Sequence, residues 1–384
     1  MIYLDNAATS FPKPPSVIAS ITSALSAPAS PGRSGHKPAL NASRVIYRAR
    51  KAVAKLLGLK DLERVIFTPN ITWAINIALS GLGLQAGDHV LSTVLEHNST
   101  ARPLARLSVE KGILWERVPL NKEGFLTPQD FALRIRPNTR LVVLNHASNV
   151  TGNLFPAKAI KEAIGEIPLL LDTAQTAGAV PLEELGALVD IVTFTGHKGL
   201  LGPTGTGGLY IKEGIPFEPL AVGGSGSRSE SLTHPDFMPD ALEAGTLNTH
   251  GLAGLAAGVE YLLERGVLAI RTHELALANQ FLEGIKEIPS VSLLGPGHGI
   301  SERVATISLN LKGWSSSDLA QRLEADYGIM IRAGLHCAPL AHEALGTFPG
   351  GSARFSFGPF TTTAEVQEAV RALFNLSKLK GALE

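Results

Sequence analysis

The chain is poor in sulfur: it has one cysteine, Cys337, and three methionines in 384 residues. A single cysteine cannot close an internal disulfide, and it excludes a metal site built from several thiolates. No metal site of another kind is expected either. Surplus charge is missing too, because 34 Lys and Arg balance 34 Asp and Glu. General binding to nucleic acid or to an anionic membrane needs a basic excess, so neither is expected. No apolar run reaches the ~18 residues that a membrane-spanning helix requires. The first residues, "MIYLDNAATSFPKPP", lack the basic region and apolar stretch of a signal peptide, so a cytoplasmic location is expected. Internal repeats and low-complexity tracts are absent as well.

What the chain does have is alternation. Hydrophobic residues make up 45%, enough for sizeable cores. The stretches "RVIFT", "HVLST", "ILWERV", "RLVVLNHAS", "PLLLDTA", "DIVTFT" and "GGLYIK" read as strands. Helical patterns lie between most of them, such as "NASRVIYRARKAVAKLLG" and "TWAINIALSGL". This order predicts a mainly parallel seven-stranded sheet covered on both faces. Beyond residue 266 the pattern becomes a smaller α+β unit, with "RVATISLNL", "IMIRAG" and "SARFSFG" as strands. The expected division is a large domain, residues 16–255, and a small domain made of 1–15 and 256–384.

In open sheets of this kind, ligands sit outside the carboxyl ends of the strands. Polar residues collect at those ends: Thr72 after "VIFTPNI", Glu96 and His97, Asn149, Asp172 with Gln175, and His197 with Lys198. Asp172 alone could be a helix cap, and His97 alone a satisfied core histidine. Five polar strand ends together predict one site. A lysine at the mouth of an apolar strand can lose its proton in a partly dry site and form an imine with an aldehyde. Pyridoxal phosphate is the common cofactor of that type, and it also needs a carboxylate at its pyridine nitrogen and a cradle for its phosphate. Asp172 suits the first need. The start of "NITWAIN", with Thr72, and the Thr195 and His197 that flank Lys198 suit the second. The run "GPTGTGG" reads as a tight turn after the lysine and not as a P-loop, because no Gly-Lys-Ser/Thr follows.

Taken in order, "YLDNAAT", "RSGH", "LEHNS", "SNVTG", "LDTAQ", "TGHK", "GPTGTGGLY", "EAGTLNT" and "RAGLHCA" resemble the pyridoxal-phosphate enzymes of the class V aminotransferase family. More narrowly, they are similar to its Suf-type cysteine desulfurases. The resemblance spans nearly the whole chain and implies a fold-type I transferase. It implies that Lys198 holds the cofactor aldehyde, Asp172 pairs with the ring nitrogen, and Gln175 bonds the phenolic oxygen. His97 would stack on the ring and assist proton transfer. Ile71, by its N–H, and Thr72, Thr195 and His197 would hold the phosphate, with Thr246 reaching the phosphate of a partner subunit in a homodimer. Arg354 and His36 would bind the substrate, Asn149 would lie by the substrate carboxylate or the cofactor's phenolic oxygen, and Cys337 would accept the sulfur of L-cysteine as a persulfide for an acceptor protein. The phosphate loop departs from the usual pattern by reading Asn70-Ile71-Thr72-Trp73, and Phe360-Thr361 follows Arg354 where Tyr-Asn or Phe-Asn is common. Alternatives are a selenocysteine lyase, another class V aminotransferase or lyase in which Cys337 is incidental, and a non-catalytic scaffold.

Overall fold

The computed structural model describes residues 1–27, 31, 35–122, 124–186, 188–295 and 302–380; Arg33 and Ser34 of "RSGH" lie outside them. The strands are β1 (Ile2–Tyr3), β2 (Val65–Thr68), β3 (His89–Thr93), β4 (Leu114–Val118), β5 (Thr139–Asn145), β6 (Leu169–Asp172), β7 (Ile191–Thr195), β8 (Gly207–Ile211), β9 (Val291–Leu293), β10 (Thr306–Leu311), β11 (Ile329–Met330), β12 (Arg332–Gly334) and β13 (Ser352–Ser356). The helices are α1 (Pro15–Leu25), α2 (Lys37–Leu57), α3 (Ile71–Gly81), α4 (Asn98–Lys111), α5 (Pro128–Ala132), α6 (Ala157–Ile164), α7 (Thr249–Arg265), α8 (Val267–Lys286), α9 (Ser316–Tyr327), α10 (Pro339–Ala344) and α11 (Thr363–Lys380).

Seven strands form one sheet in the order β2-β8-β7-β6-β5-β3-β4. Only β8 runs against its neighbours; the other adjacent pairs are parallel. Side chains alternate between the faces of a strand, and β5 shows this directly. Its Val142 and Leu144 join one core with Val53, Phe131 and Leu262, while Leu141 and Val143 join the other with Ile75, Leu79 and Leu104. Burial on both faces is why β6 and β7 are mostly apolar, with every residue buried. A four-stranded antiparallel sheet, β12-β13-β10-β9, and a parallel pair, β1-β11, complete the strands. Phe281 of α8 closes the third core against Phe355 and Phe357, with ring centroids 4.8 and 5.5 Å away. Leu4 belongs to that same core. Among the described residues, no helix is long and apolar enough to cross a membrane.

Two local readings differ from the structure. The stretch "IMIRAG" is two strands, because β11 pairs with β1 whereas β12 pairs with β13. Helix α9 is capped by Ser315, whose side chain accepts from Asp318 N at 3.0 Å. The run "GPTGTGG" is only partly a turn, since Gly207 and Gly208 belong to β8. A Cβ on Gly208 would lie 2.3 Å from Ile66 O and 2.5 Å from Phe194 Cζ, so glycine is required by close packing there. Helix α7 was also not anticipated. Its sequence carries Gly251, Gly254 and Gly258, which are poor helix formers. They persist because a Cβ on Gly254 would meet Ile21 Cγ1 at 2.6 Å, and one on Gly258 would meet Leu200 O at 2.5 Å.

Gly208→Ala should therefore lower stability by about 1–3 kcal/mol, the usual cost of overpacking. The expected readout is a lower urea midpoint with an unchanged slope. A wild-type midpoint would mean that β2 and β7 part easily enough to admit a methyl group.

Candidate active site

Strands β3, β5, β6 and β7 all deliver polar residues at their carboxyl ends. After β7, Gly196 N donates to Thr206 O, Gly202 N to Gly196 O and Leu201 N to Lys198 O, closing a tight turn around the lysine. Leu201 takes a left-handed backbone, φ 60°, to make it. The segment 5–13 straps this turn down. Ser10 Oγ donates to Lys198 O at 2.8 Å, Thr9 Oγ1 to His197 O at 3.0 Å, and Lys13 Nζ to His197 O at 2.8 Å.

The amine of Lys198 is ringed by protein and forms no hydrogen bond or ion pair among the described residues. Burial, helped by the Arg354 charge, lowers its pKa to about 8; Asp172 opposes the shift. At pH 7 about a tenth of the molecules then carry a free amine, against roughly 0.03% for an ordinary lysine. Asp172, 4% exposed, accepts from Ala174 N at 2.8 Å, yet burial pushes its pKa up. It is a carboxylate short of a cation. Gln175 donates from Nε2 to Ala7 O at 3.2 Å, which fixes its amide against the strap.

His97 caps α4. Its Nδ1 accepts from Ser99 N at 3.0 Å, so its proton sits on Nε2. Burial, then the charges of Lys198, Arg332, Arg354 and Arg102, lower its pKa to about 3 and keep the ring neutral. Glu96, next to it, is wholly buried and has its pKa raised to about 8 by that burial. Its Oε1 accepts from Thr93 Oγ1 at 2.8 Å and Asn145 N at 3.1 Å. Its Oε2 has no partner among the described residues, as suits a protonated acid.

Arg354, 1% exposed on β13, pairs with Asp5 Oδ1 at 2.9 Å and donates to Asn149 O at 3.1 Å. Asn149 Nδ2 donates in turn to His336 O at 2.8 Å. Cys337 is exposed, with Arg332 NH2 3.9 Å from Sγ, and its carbonyl accepts from Asn98 N at 2.7 Å. Lys198, His97, Asp172, Asn149, Arg354 and Cys337 are thus brought into one cleft between the two larger sheets.

At the start of α3, Asn70 Oδ1 takes Trp73 N at 3.1 Å. The N–H groups of Ile71 and Thr72 stay outside the helical ladder, and Thr72 is exposed. Thr195 Oγ1 and His197 Nδ1 are buried without partners among the described residues. Two expected residues stand apart. His36 is exposed and caps α2 by accepting from Ala39 N at 3.3 Å. Thr246 is exposed and lines a cavity of about 470 Å³ with Trp73 and Leu247. Asp5 and Lys13 were not singled out from sequence. Their partners lie 349 and 184 residues away, and no local spacing signals such pairs.

The family model described as Aminotransferase class-V matches residues 2–369. The chain belongs to the class V aminotransferase family. Curated relatives within it include a probable cysteine desulfurase of Methanothermobacter thermautotrophicus, 31% identical and covering 95% of this chain and 92% of its own. A cysteine desulfurase of Yersinia pestis is 33% identical, covering 99% of this chain and 94% of its own. Among solved structures, the apo cysteine desulfurase of Thermococcus onnurineus superposes with a TM-score of 0.91 at 32% identity, covering 98% of this chain and 94% of that one. The S-sulfonic acid form of the Escherichia coli cysteine desulfurase CsdA gives 0.87 at 29% identity, with the same coverages.

Two outcomes are expected of this class V site. Trinitrophenylation of Lys198 by trinitrobenzenesulfonate, located by peptide mapping, should rise with a midpoint near pH 8, because a lowered pKa frees the amine early. A midpoint in the ordinary lysine range would refute the desolvation of that amine. Asp5→Ala should destabilise the fold by about 3 kcal/mol, the lower end for breaking a buried pair, since Asp5 keeps some water. A denaturation midpoint that does not move would show that Arg354 is held by Asn149 O alone.

Proposed function

We propose that the protein is a pyridoxal-phosphate-dependent cysteine desulfurase. The observation that carries this reading is a free, low-pKa amine on Lys198 and an exposed thiol on Cys337 in one cleft, with an uncompensated buried carboxylate on Asp172. The named relatives and structural neighbours, all cysteine desulfurases, support it. The residues present also fit the cofactor. Buried Thr195 Oγ1 and His197 Nδ1 lack partners among the described residues, as would groups meant for a phosphate, and the N–H groups at the start of α3 favour the same anion. Asp172 would bind the protonated ring nitrogen, which reverses the cause of its raised pKa. Gln175 would meet the phenolic oxygen and His97 would cover the ring face.

When bound, the cofactor supplies an aldehyde for the substrate amine and a ring that withdraws electrons from Cα. Lys198, as the neutral amine, takes the proton from the substrate Cα. Asp172 holds the proton at the ring nitrogen. Arg354 Nε, buried without a partner among the described residues, and Asn149 orient the substrate carboxylate. The Cys337 thiolate, with Arg332 at its side, attacks the substrate sulfur. An S–S bond forms, the Cβ–S bond breaks, the electron pair left on Cβ takes up a proton, and Lys198 returns its proton to Cα. Cysteine leaves as alanine, and Cys337 keeps a persulfide for an acceptor protein.

The remaining expectations belong to the same proposal. The exposed Thr246 beside exposed Trp73, Leu220 and Val222 supports a homodimer in which Thr246 serves the partner's phosphate. His36 would reach the substrate only if its segment folds over the cleft. The two-domain division is supported by Leu4, which packs among residues 277–376. The expected cut at 255 falls inside α7, and Gly266, where α7 meets α8, is a better place for it. Cytoplasmic residence is proposed as well. Selenocysteine cleavage has no observation in its favour.

The test is incubation with L-cysteine, measuring alanine and protein persulfide together. Cys337→Ala should keep the colour of bound cofactor and lose about a hundredfold in alanine formation, equivalent to ~2.7 kcal/mol of barrier. Desulfuration at the wild-type rate would make Cys337 incidental and return the protein to the aminotransferases or lyases.

A further inference from the structure

Cys337 sits on a strained loop. His336 and Cys337 both adopt left-handed backbones, φ 50° and 56°, where residues with a Cβ are uncommon. Such strain persists only if the surroundings over-determine it. On the cleft side, Asn149 Nδ2 and Asn98 N grip the carbonyls of His336 and Cys337 at 2.8 and 2.7 Å. On the other side stand two histidines for which the desulfurase chemistry has no use. His336 is 3% exposed, and its Nε2 lies 3.1 Å from Ser352 Oγ on β13. Behind it, wholly buried His342 of α10 brings its ring centroid to 5.6 Å. The Nδ1 of His342 lies 2.7 Å from Thr347 Oγ1.

Each ring therefore has one nitrogen bonded to a hydroxyl. The other two, His336 Nδ1 and His342 Nε2, are buried and have no partner among the described residues. Buried polar atoms in native proteins are rarely left unpaired. Two orphan nitrogens on neighbouring rings suit a single shared partner. One water can donate to one nitrogen and accept from the other, provided both rings are neutral. Neutrality is enforced. Burial lowers the pKa of both, that of His336 to about 2, and the charges of Arg354 and Arg332 push His336 further the same way.

We propose that His342 and His336, joined by one buried water, form a strut that positions Cys337. His342 fixes the orientation of the His336 ring, and the ring fixes the left-handed turn that presents Sγ to the cleft. Neither histidine touches substrate; both are positioning residues. The kinetic half of the test rests on the desulfurase reading, whereas the thiol half does not.

Cys337 is the only thiol in the chain, so alkylation of the holoenzyme by iodoacetamide reports on it alone. His342→Phe keeps a ring of similar shape and deletes both nitrogens, while His342→Gln restores a hydrogen-bonding side chain. With His342→Phe the alkylation rate should change several-fold. Its kcat for alanine formation should fall about tenfold, short of the ~100-fold of a full 1 Å misplacement. Cofactor absorbance and KM for L-cysteine should stay near wild type, and His342→Gln should recover most of the loss. If His342→Phe does not fold, Thr347→Val, which removes the hydroxyl at the far end of the strut, should shift alkylation in the same direction by less. Unchanged alkylation in every folded variant overturns the proposal. So does a joint collapse of kcat, KM and cofactor absorbance that glutamine does not rescue. If alkylation responds but the wild type releases no alanine from cysteine, the strut stands and the desulfurase reading falls.

Discussion

A nearly buried arginine must find acceptors for its donors, and in this fold Arg354 finds them on two distant segments. Its guanidinium pairs with Asp5 from the first strap of chain and bonds the carbonyl of Asn149 from the loop after β5. Asn149 then holds the carbonyl of His336, one residue from the thiol. The strap continues from Asp5 to Thr9, Ser10 and Lys13, which hold the lysine turn. One ion pair thus ties the lysine turn, the Asn149 loop and the Cys337 loop to one another. No single element carries the cleft; it exists where three segments meet around one charge.

The cleft is also notable for how few of its groups carry their ordinary charge. Lys198 is driven toward the neutral amine, His97 is held neutral, and Glu96 retains its proton, each mainly through burial. Arginines 332 and 354 remain as cations. A largely buried site with a neutral histidine and a lysine whose pKa is brought near 8 lets protons move close to neutral pH. Burial raises the pKa of Asp172, and a cation beside it would lower it again, so occupancy of the site and its electrostatics are coupled.

Much of this was legible before any coordinates. The strands of the large sheet announce themselves because burial on both faces leaves only apolar residues, as in Leu169–Leu171 and Ile191–Val192. Polar residues at strand ends then locate the cleft, and Lys198, Asp172, His97 and Asn149 were found that way. The illegible parts share a physical cause, which is long-range contact. Asp5 reads as a turn residue until its partner 349 positions away is known. Helix α7 hides because its glycines answer to Ile21 and Leu200 and not to helix propensity. "IMIRAG" reads as one strand because nothing local tells Ile331 that its two sides join different sheets. His342 carries no signal of its own, since its role depends on a neighbouring ring that only the fold supplies.

The span between Asp5 and Arg354 has a consequence for the birth of the molecule. A ribosome adding roughly 5–20 residues per second needs about 20–70 s to travel from one to the other. Throughout that interval Asp5 has no cation to pair with, although Thr9, Ser10 and Lys13 can hold the lysine turn once His197 and Lys198 are made. The Arg354 side of the cleft is completed late, because it waits for β13. A product truncated before β12 would carry every strand of the large sheet and lack Arg332, Cys337 and Arg354 together.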